Sequence, residues 1–206
     1  MSRLVVFGCS YTYGHSLEDC HTNEYPYITS YPSKMGWPNT LAEKLGIQEV
    51  VNKSIPGASN KKIWKTVVDF GYHQDDIVIV NWSFITRTTY FRENSDDVFI
   101  LPRYSEYEWY YENLYSEYDG LIDLNLRADH IHRYLWSKDV NNFHALLSIS
   151  NITSKSVGNW MSFEFLKSDF DSIRLKYPPA LDGSHPNKDA HDEYALCLFN
   201  ELNGKI

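Results

Sequence analysis

The chain has 206 residues and a formal net charge of −8, from 27 acidic and 19 basic side chains. That length fits one domain with a sizeable core, and the scattered Lys and Arg argue against duplex nucleic acid or an anionic membrane as a primary partner. Cys9, Cys20 and Cys197 have no metal-ligand or redox spacing, and with no signal peptide or bilayer-length apolar run the sequence reads as a cytoplasmic protein; no cofactor is expected.

In chain order, Val5–Phe7 is an apolar, β-branched run too short for a helix, so it predicts a buried first strand. Gly8 breaks it, and Ser10 follows at the carboxyl end, where parallel sheets place their ligands. Residues 12–35 lack helical periodicity and carry His15, Cys20 and His21, either as solvated loop residues or as a pocket wall. Residues 36–46 predict a helix, with Pro38 in its first turn, Leu41 and Leu45 on one face and Gly46 as its stop. Val50 and Val51 predict a short second strand. The turn-forming residues 52–60 lead to a helix capped by Ser59 or Asn60, with Ile63, Trp64, Val67 and Val68 inward.

Asp75 and Asp76 precede Ile77–Ser83, whose continuous β-branched run predicts a central parallel strand. Residues 86–120 are irregular and read as an insertion over the active edge, a Tyr-rich segment bounded at about 88–127. Six tyrosines fall between Tyr104 and Tyr118. Tyr104, Tyr107, Tyr111, Tyr115 and Tyr118 recur at spacings of three and four, which predicts one helical face, covering core or an interface or offering a platform for a sugar or nucleobase. A helix over 121–140, a strand over 145–150 and a final helix over 186–202 complete the pattern, with 151–176 unassigned. His130 and His132 lie two apart on a helix and diverge, and His191 is expected to be exposed. Strands alternating with helices predict a parallel sheet covered on both faces.

The chemistry gathers at two places. A serine hydroxyl needs a base within reach, and that base needs a group to hold its tautomer. Ser10 supplies the first, and Asp182-x-x-His185, in a loop entering the last helix, supplies the other two. The backbone N–H groups of Ser10 and Gly57 are candidate oxyanion donors, and a third would be a side-chain amide. Tyr11, His15, Trp82 and Arg87 are candidate substrate contacts; Arg87, if inward, can hold a carboxylate or phosphate.

These residues resemble the SGNH (GDSL-type) hydrolases. Gly8-Cys9-Ser10-Tyr11-Thr12 resembles the family's first block, Asn52 to Asn60 with Gly57 the second, and Asp182-Gly183-Ser184-His185-Pro186 the fifth. The run from Trp37 is similar to small members often met in bacteriophage genomes. The resemblance spans nearly the whole chain as a single domain, 1–206. It implies a flavodoxin-like three-layer α/β/α sandwich, a Ser-His-Asp triad and hydrolysis of a small acyl ester, such as an O-acetyl group on a carbohydrate, without metal. Cys9 stands where the family name has aspartate. The third block, from Val80 to Arg87, lacks the Gly-x-Asn-Asp whose asparagine the resemblance makes an oxyanion donor; Asn81 or Asn60 is the candidate for that amide, with Ser83, Thr86 or Arg87 as substitutes. An acyltransferase using the same triad, or an inactive binding or structural phage protein, is the alternative. The sequence leaves the oligomeric state open.

Overall fold

A computed structural model describes residues 2–22, 24, 28–93, 96–148 and 163–206. Four parallel strands form the main sheet: β1 (Arg3–Phe7), β2 (Glu49–Asn52), β3 (Ile77–Trp82) and β6 (Asn141–Leu146), in the order β2-β1-β3-β6. Every residue of β3 is buried, as a strand must be when both sheet faces are covered. Helix α2 (Trp37–Leu45) packs on α7 (Lys188–Leu202), which also meets α6 (Phe170–Arg174); α3 (Asn60–Val68) packs on α5 (Glu117–Trp136). The result is a three-layer α/β fold, as the sequence predicts.

One core face stacks Phe170 on Tyr194 with centroids 4.2 Å apart, and Trp37 meets Tyr194 edge-on at 5.5 Å. The other draws Ile63 and Val67 of α3 against Leu124, Ala128, Ile131 and Leu135 of α5. At the amino edge of the sheet Arg3 donates to both Asp76 carboxylate oxygens, at 2.8 and 2.7 Å. The predicted helix stop at Gly46 is present as a left-handed C-cap, φ 71°. Ser59, not Asn60, caps α3, its hydroxyl accepting from Lys62 N–H.

Four expectations need correction. The last strand begins at Asn141, not Ala145, because its polar first half pairs in register with β3 (Ile77 with Asn141, Val80 with His144). An edge position tolerates the asparagines that hide it from an apolar-run reading. The positions 149–150 of that predicted strand lie outside the described residues. The helix over 121–140 instead runs from Glu117 to Trp136.

The tyrosines do not share one helical face. Ser105–Tyr107 is a 3-10 turn, α4 covers only Glu108–Asn113, and the helix ends there before α5 starts at Glu117, with Tyr118 in its first turn. Tyr111 instead ties α4 to the ribbon formed by β4 (Thr88–Tyr90) and β5 (Val98–Ile100), its hydroxyl donating to the Thr86 carbonyl at 2.7 Å.

His191 is fully buried, not exposed. Its Nδ1 accepts from the backbone N–H of Trp37 at 3.0 Å. That group is an orphan donor of the first turn of α2, and the N-cap residue, Gly36, has no side chain to satisfy it.

No helix among the described residues is long and apolar enough to cross a membrane.

Candidate active site

Ser10 is the first residue of the single-turn helix α1 (Ser10–Tyr13) at the carboxyl end of β1. Gly8 makes this turn possible. A Cβ there would sit on the Thr12 hydroxyl, 2.7 Å from Thr12 Cβ and 3.2 Å from the Asn81 carbonyl oxygen. The loop after β2 is zipped alongside: Lys53 N–H donates to Val6 O at 2.8 Å and Ile55 N–H to Gly8 O at 3.0 Å. Gly57, at φ 76°, turns this loop beside Ser10 in a conformation that costs other residues about 1–2 kcal/mol.

The loop carrying Asp182 and His185 is built like a hairpin. Pro179 and Pro186 bridge antiparallel, Ala180 N–H donates to His185 O at 2.9 Å, and Gly183 turns at φ 74°. Leu181 N–H reaches Ser16 O, docking this loop on the turn that bears His15. Within it, Asp182 Oδ1 accepts from the backbone N–H groups of Ser184 and His185, both at 3.0 Å. Asp182 Oδ2 lies 2.5 Å from His185 Nδ1 and accepts from the Ser184 hydroxyl at 2.8 Å.

Burial works to raise the Asp182 pKa, but the hydrogen bonds from His185 and Ser184 outweigh it and hold the carboxyl well below the usual range. The carboxylate is therefore an acceptor, so the imidazole proton sits on Nδ1 and Nε2 carries the lone pair. Burial depresses the His185 pKa; the Asp182 bond partly offsets this, and Arg87 and Arg103 push it further down. His185 is thus neutral near pH 7, the state a general base requires.

Ser10 and His185 line one cavity of about 540 Å³, with Gly57, His15 and Arg87. No hydrogen bond joins the Ser10 hydroxyl to His185, and neither the Ser10 nor the Gly57 N–H donates to an acceptor among the described residues. Tyr11 meets the His185 ring edge-on at 5.6 Å. His15 stacks on it at 4.4 Å, so the loop histidine is a wall and not a solvated residue.

Other sequence candidates are placed elsewhere. Asn81 is buried and its amide donates to Thr12 Oγ1 at 3.1 Å, which commits it to bracing α1. Asn60 is buried, with Oδ1 accepting from Ser83 N–H at 2.7 Å. Trp82 is fully buried and its indole donates to His144 Nδ1 at 3.0 Å, so it is a core residue and not a substrate contact. The buried Cys9 side chain joins the core. His130 bonds Trp64 and His132 bonds Asn142, on divergent sides of α5.

The outer wall comes from the β4–β5 ribbon and the 3-10 turn, which bring Arg92, Arg103, Tyr104 and Tyr107 to the cavity. The sequence does not mark out these two arginines, because their positions are set only by how the ribbon folds back. The available signal was that Arg87, Arg92 and Arg103 all fall within the stretch after the central strand.

His15, Asp182 and His185 each offer a ligand atom within 4.8 Å of the others. Using His185 Nδ1 for a metal would break its bond to Asp182.

No family model and no curated protein matches the chain. Solved structures do. A lipolytic protein of the G-D-S-L family from Desulfitobacterium hafniense DCB-2 is 15% identical, covering 96% of this chain and 98% of its own, at TM-score 0.55. TesA is 14% identical over 99% of each chain, at 0.58. The acetyl xylan esterase Est2A from the rumen bacterium Butyrivibrio proteoclasticus is 13% identical over 98% of this chain and 63% of its own, at 0.55. The chain has the fold of the G-D-S-L (SGNH) hydrolases. At these identities the likeness is one of fold, and the residues must carry the chemistry.

Proposed function

We propose that the chain is a serine esterase that hydrolyses a small acyl ester. The observation that carries this reading is the Asp182–His185 pair, with His185 and Ser10 lining the same cavity. Ser10 Oγ attacks the ester carbonyl carbon and its proton passes to His185 Nε2. The carbonyl oxygen takes the electron pair and is held by the N–H groups of Ser10 and Gly57. Collapse of this intermediate breaks the bond to the alcohol, which leaves with the proton from His185. Water, deprotonated by the same nitrogen, then attacks the acyl-enzyme and releases the acid, returning the proton to Ser10.

The cavity rim is exposed at Arg92, Asp96 and Arg103, which admits water and favours hydrolysis over acyl transfer. A carbohydrate-borne O-acetyl group suits the Tyr104 and Tyr107 wall, and a structural neighbour is an acetyl xylan esterase. The test is release of acetate from acetylated oligosaccharides and from 4-nitrophenyl acetate by the wild type, Ser10→Ala and His185→Ala. Turnover that either variant retains in full would refute the mechanism.

A further inference from the structure

The chain carries seven arginines. Four are in ion pairs with aspartates: Arg3 with Asp76, Arg127 with Asp123, Arg133 with Asp129, and Arg174 with Asp171. The other three, Arg87, Arg92 and Arg103, all line the Ser10 cavity. None of these three is in an ion pair with a carboxylate among the described residues, and no residue outside the description is acidic. In a chain of net charge −8, every arginine without a carboxylate partner is thus at one cavity.

Two of the three are pre-positioned. The Arg87 guanidinium lies 4.9 Å from the Phe84 ring centroid, and its Nη1 donates to the Ser83 hydroxyl at 3.0 Å. Arg103 lies 5.0 Å from the Tyr104 ring centroid, and its Nη2 donates to the Tyr104 hydroxyl at 3.0 Å. Each contact uses one N–H and leaves the remaining donors of the fork open. Of the two acids in the wall, Asp97 is neutralised by Lys62 at 2.5 Å, and Asp96 is exposed. Arg87 and Arg103 both act on His185, which places their charge at the reacting centre.

The geometry points to an anionic substrate: an ester whose acyl or alcohol part carries a carboxylate or phosphate, held by Arg87 and Arg103 with Arg92 at the rim. A guanidinium fork matches either anion through paired N–H···O bonds. This rests on the reading of Ser10 as the nucleophile, and names the class of ester that site takes.

The experiment compares kcat/KM for matched esters. 4-Acetoxybenzoate and 4-acetoxyphenyl phosphate place the anion on the alcohol side, against the neutral methyl 4-acetoxybenzoate. Mono-4-nitrophenyl glutarate places it on the acyl side, against 4-nitrophenyl butyrate. At low salt an anionic ester is preferred about tenfold, the scale of a charge-assisted hydrogen bond. The preferred pair identifies the side and the anion. The preference shrinks at least threefold in Arg103→Gln and in Arg87→Gln and falls in 0.5 M salt, while Arg133→Gln on α5 retains it. Arg103 is exposed, so its variant tests the idea even where Arg87→Gln fails to fold.

Neutral esters hydrolysed as well as every anionic partner, or a preference indifferent to Arg103→Gln, would overturn the inference and leave the esterase reading standing. Where no ester turns over and Ser10 is not labelled by a fluorophosphonate, the esterase reading has failed. Calorimetric binding of 4-hydroxybenzoate against its methyl ester then decides. Tighter carboxylate binding that Arg103→Gln loses supports the anion site, and equal binding overturns it.

Discussion

The imidazole of His15 lies flat on that of His185, with centroids 4.4 Å and planes 12° apart. Asp182 fixes the rotation of the His185 ring through Nδ1, and His15 fixes the plane in which it rotates. Burial, with His185 adding to it, brings the His15 pKa down to about 4, so the stacked ring is neutral at working pH and does not repel a protonated His185. His15→Ala should lower kcat about tenfold with a smaller change in KM, and His15→Phe should recover most of the loss, because a flat ring is what the position requires. Steady-state kinetics of the two variants check this; an equal loss in His15→Phe would assign the imidazole nitrogens a role that stacking does not supply.

The pH profile follows from His185. As a general base His185 would work only when neutral, and its pKa is depressed below the ordinary 6.5 by burial. kcat/KM should therefore rise with pH through a midpoint below 6.5 and be level at neutral pH. Asp182→Asn leaves an amide that can donate to the ring and favour the wrong tautomer. It should cost about 10²–10⁴-fold in kcat. A profile measured from pH 4 to 9 for both proteins gives the answer.

Much of this arrangement is legible in the sequence, for specific reasons. Val78–Val80 announce a central strand because a strand buried on both faces has no polar alternation to confuse it. Asp182 and His185 are found together because three residues and one turn suffice to join them. Arg92 and Arg103 are not legible, since a ribbon folding back over the sheet edge sets their positions. His191 misleads because only the packing of α7 on α2 reveals the Trp37 N–H that it caps. Asn81 lies at the right strand end, yet its amide is spent on Thr12.

Gly8 predicts a stability effect separable from chemistry. Gly8→Ala forces its Cβ into Thr12, which is fully buried and held by the Asn81 amide. Destabilisation of about 1–3 kcal/mol is expected, with loss of activity as α1 shifts. Gly71→Ala, where an added Cβ meets nothing within 4 Å, should leave stability close to wild type. Thermal melts of both variants decide.

Two buried histidines should weaken the fold in acid. Burial, with His132 beside it, brings the His144 pKa down to about 3, and burial with Lys188 nearby does the same for His191. Both bind their protons more tightly in the unfolded chain, near pKa 6.5. Their contribution to stability is therefore complete above pH 6.5 and is lost progressively as pH falls from there toward about 3, each at a slope of up to about 1.4 kcal/mol per pH unit. Denaturant midpoints at pH 7, 5.5 and 4.5 should fall steadily, and His144→Gln should fall less steeply despite a lower starting stability.

If His185 activates Ser10, the serine should react with an electrophile that mimics an acyl group. The most direct measurement is the intact mass of wild type, Ser10→Ala and His185→Ala after exposure to a fluorophosphonate. One adduct is expected on wild type, none on Ser10→Ala and slow labelling of His185→Ala. Folded wild-type protein that takes no adduct, or an adduct that persists in Ser10→Ala, would contradict it.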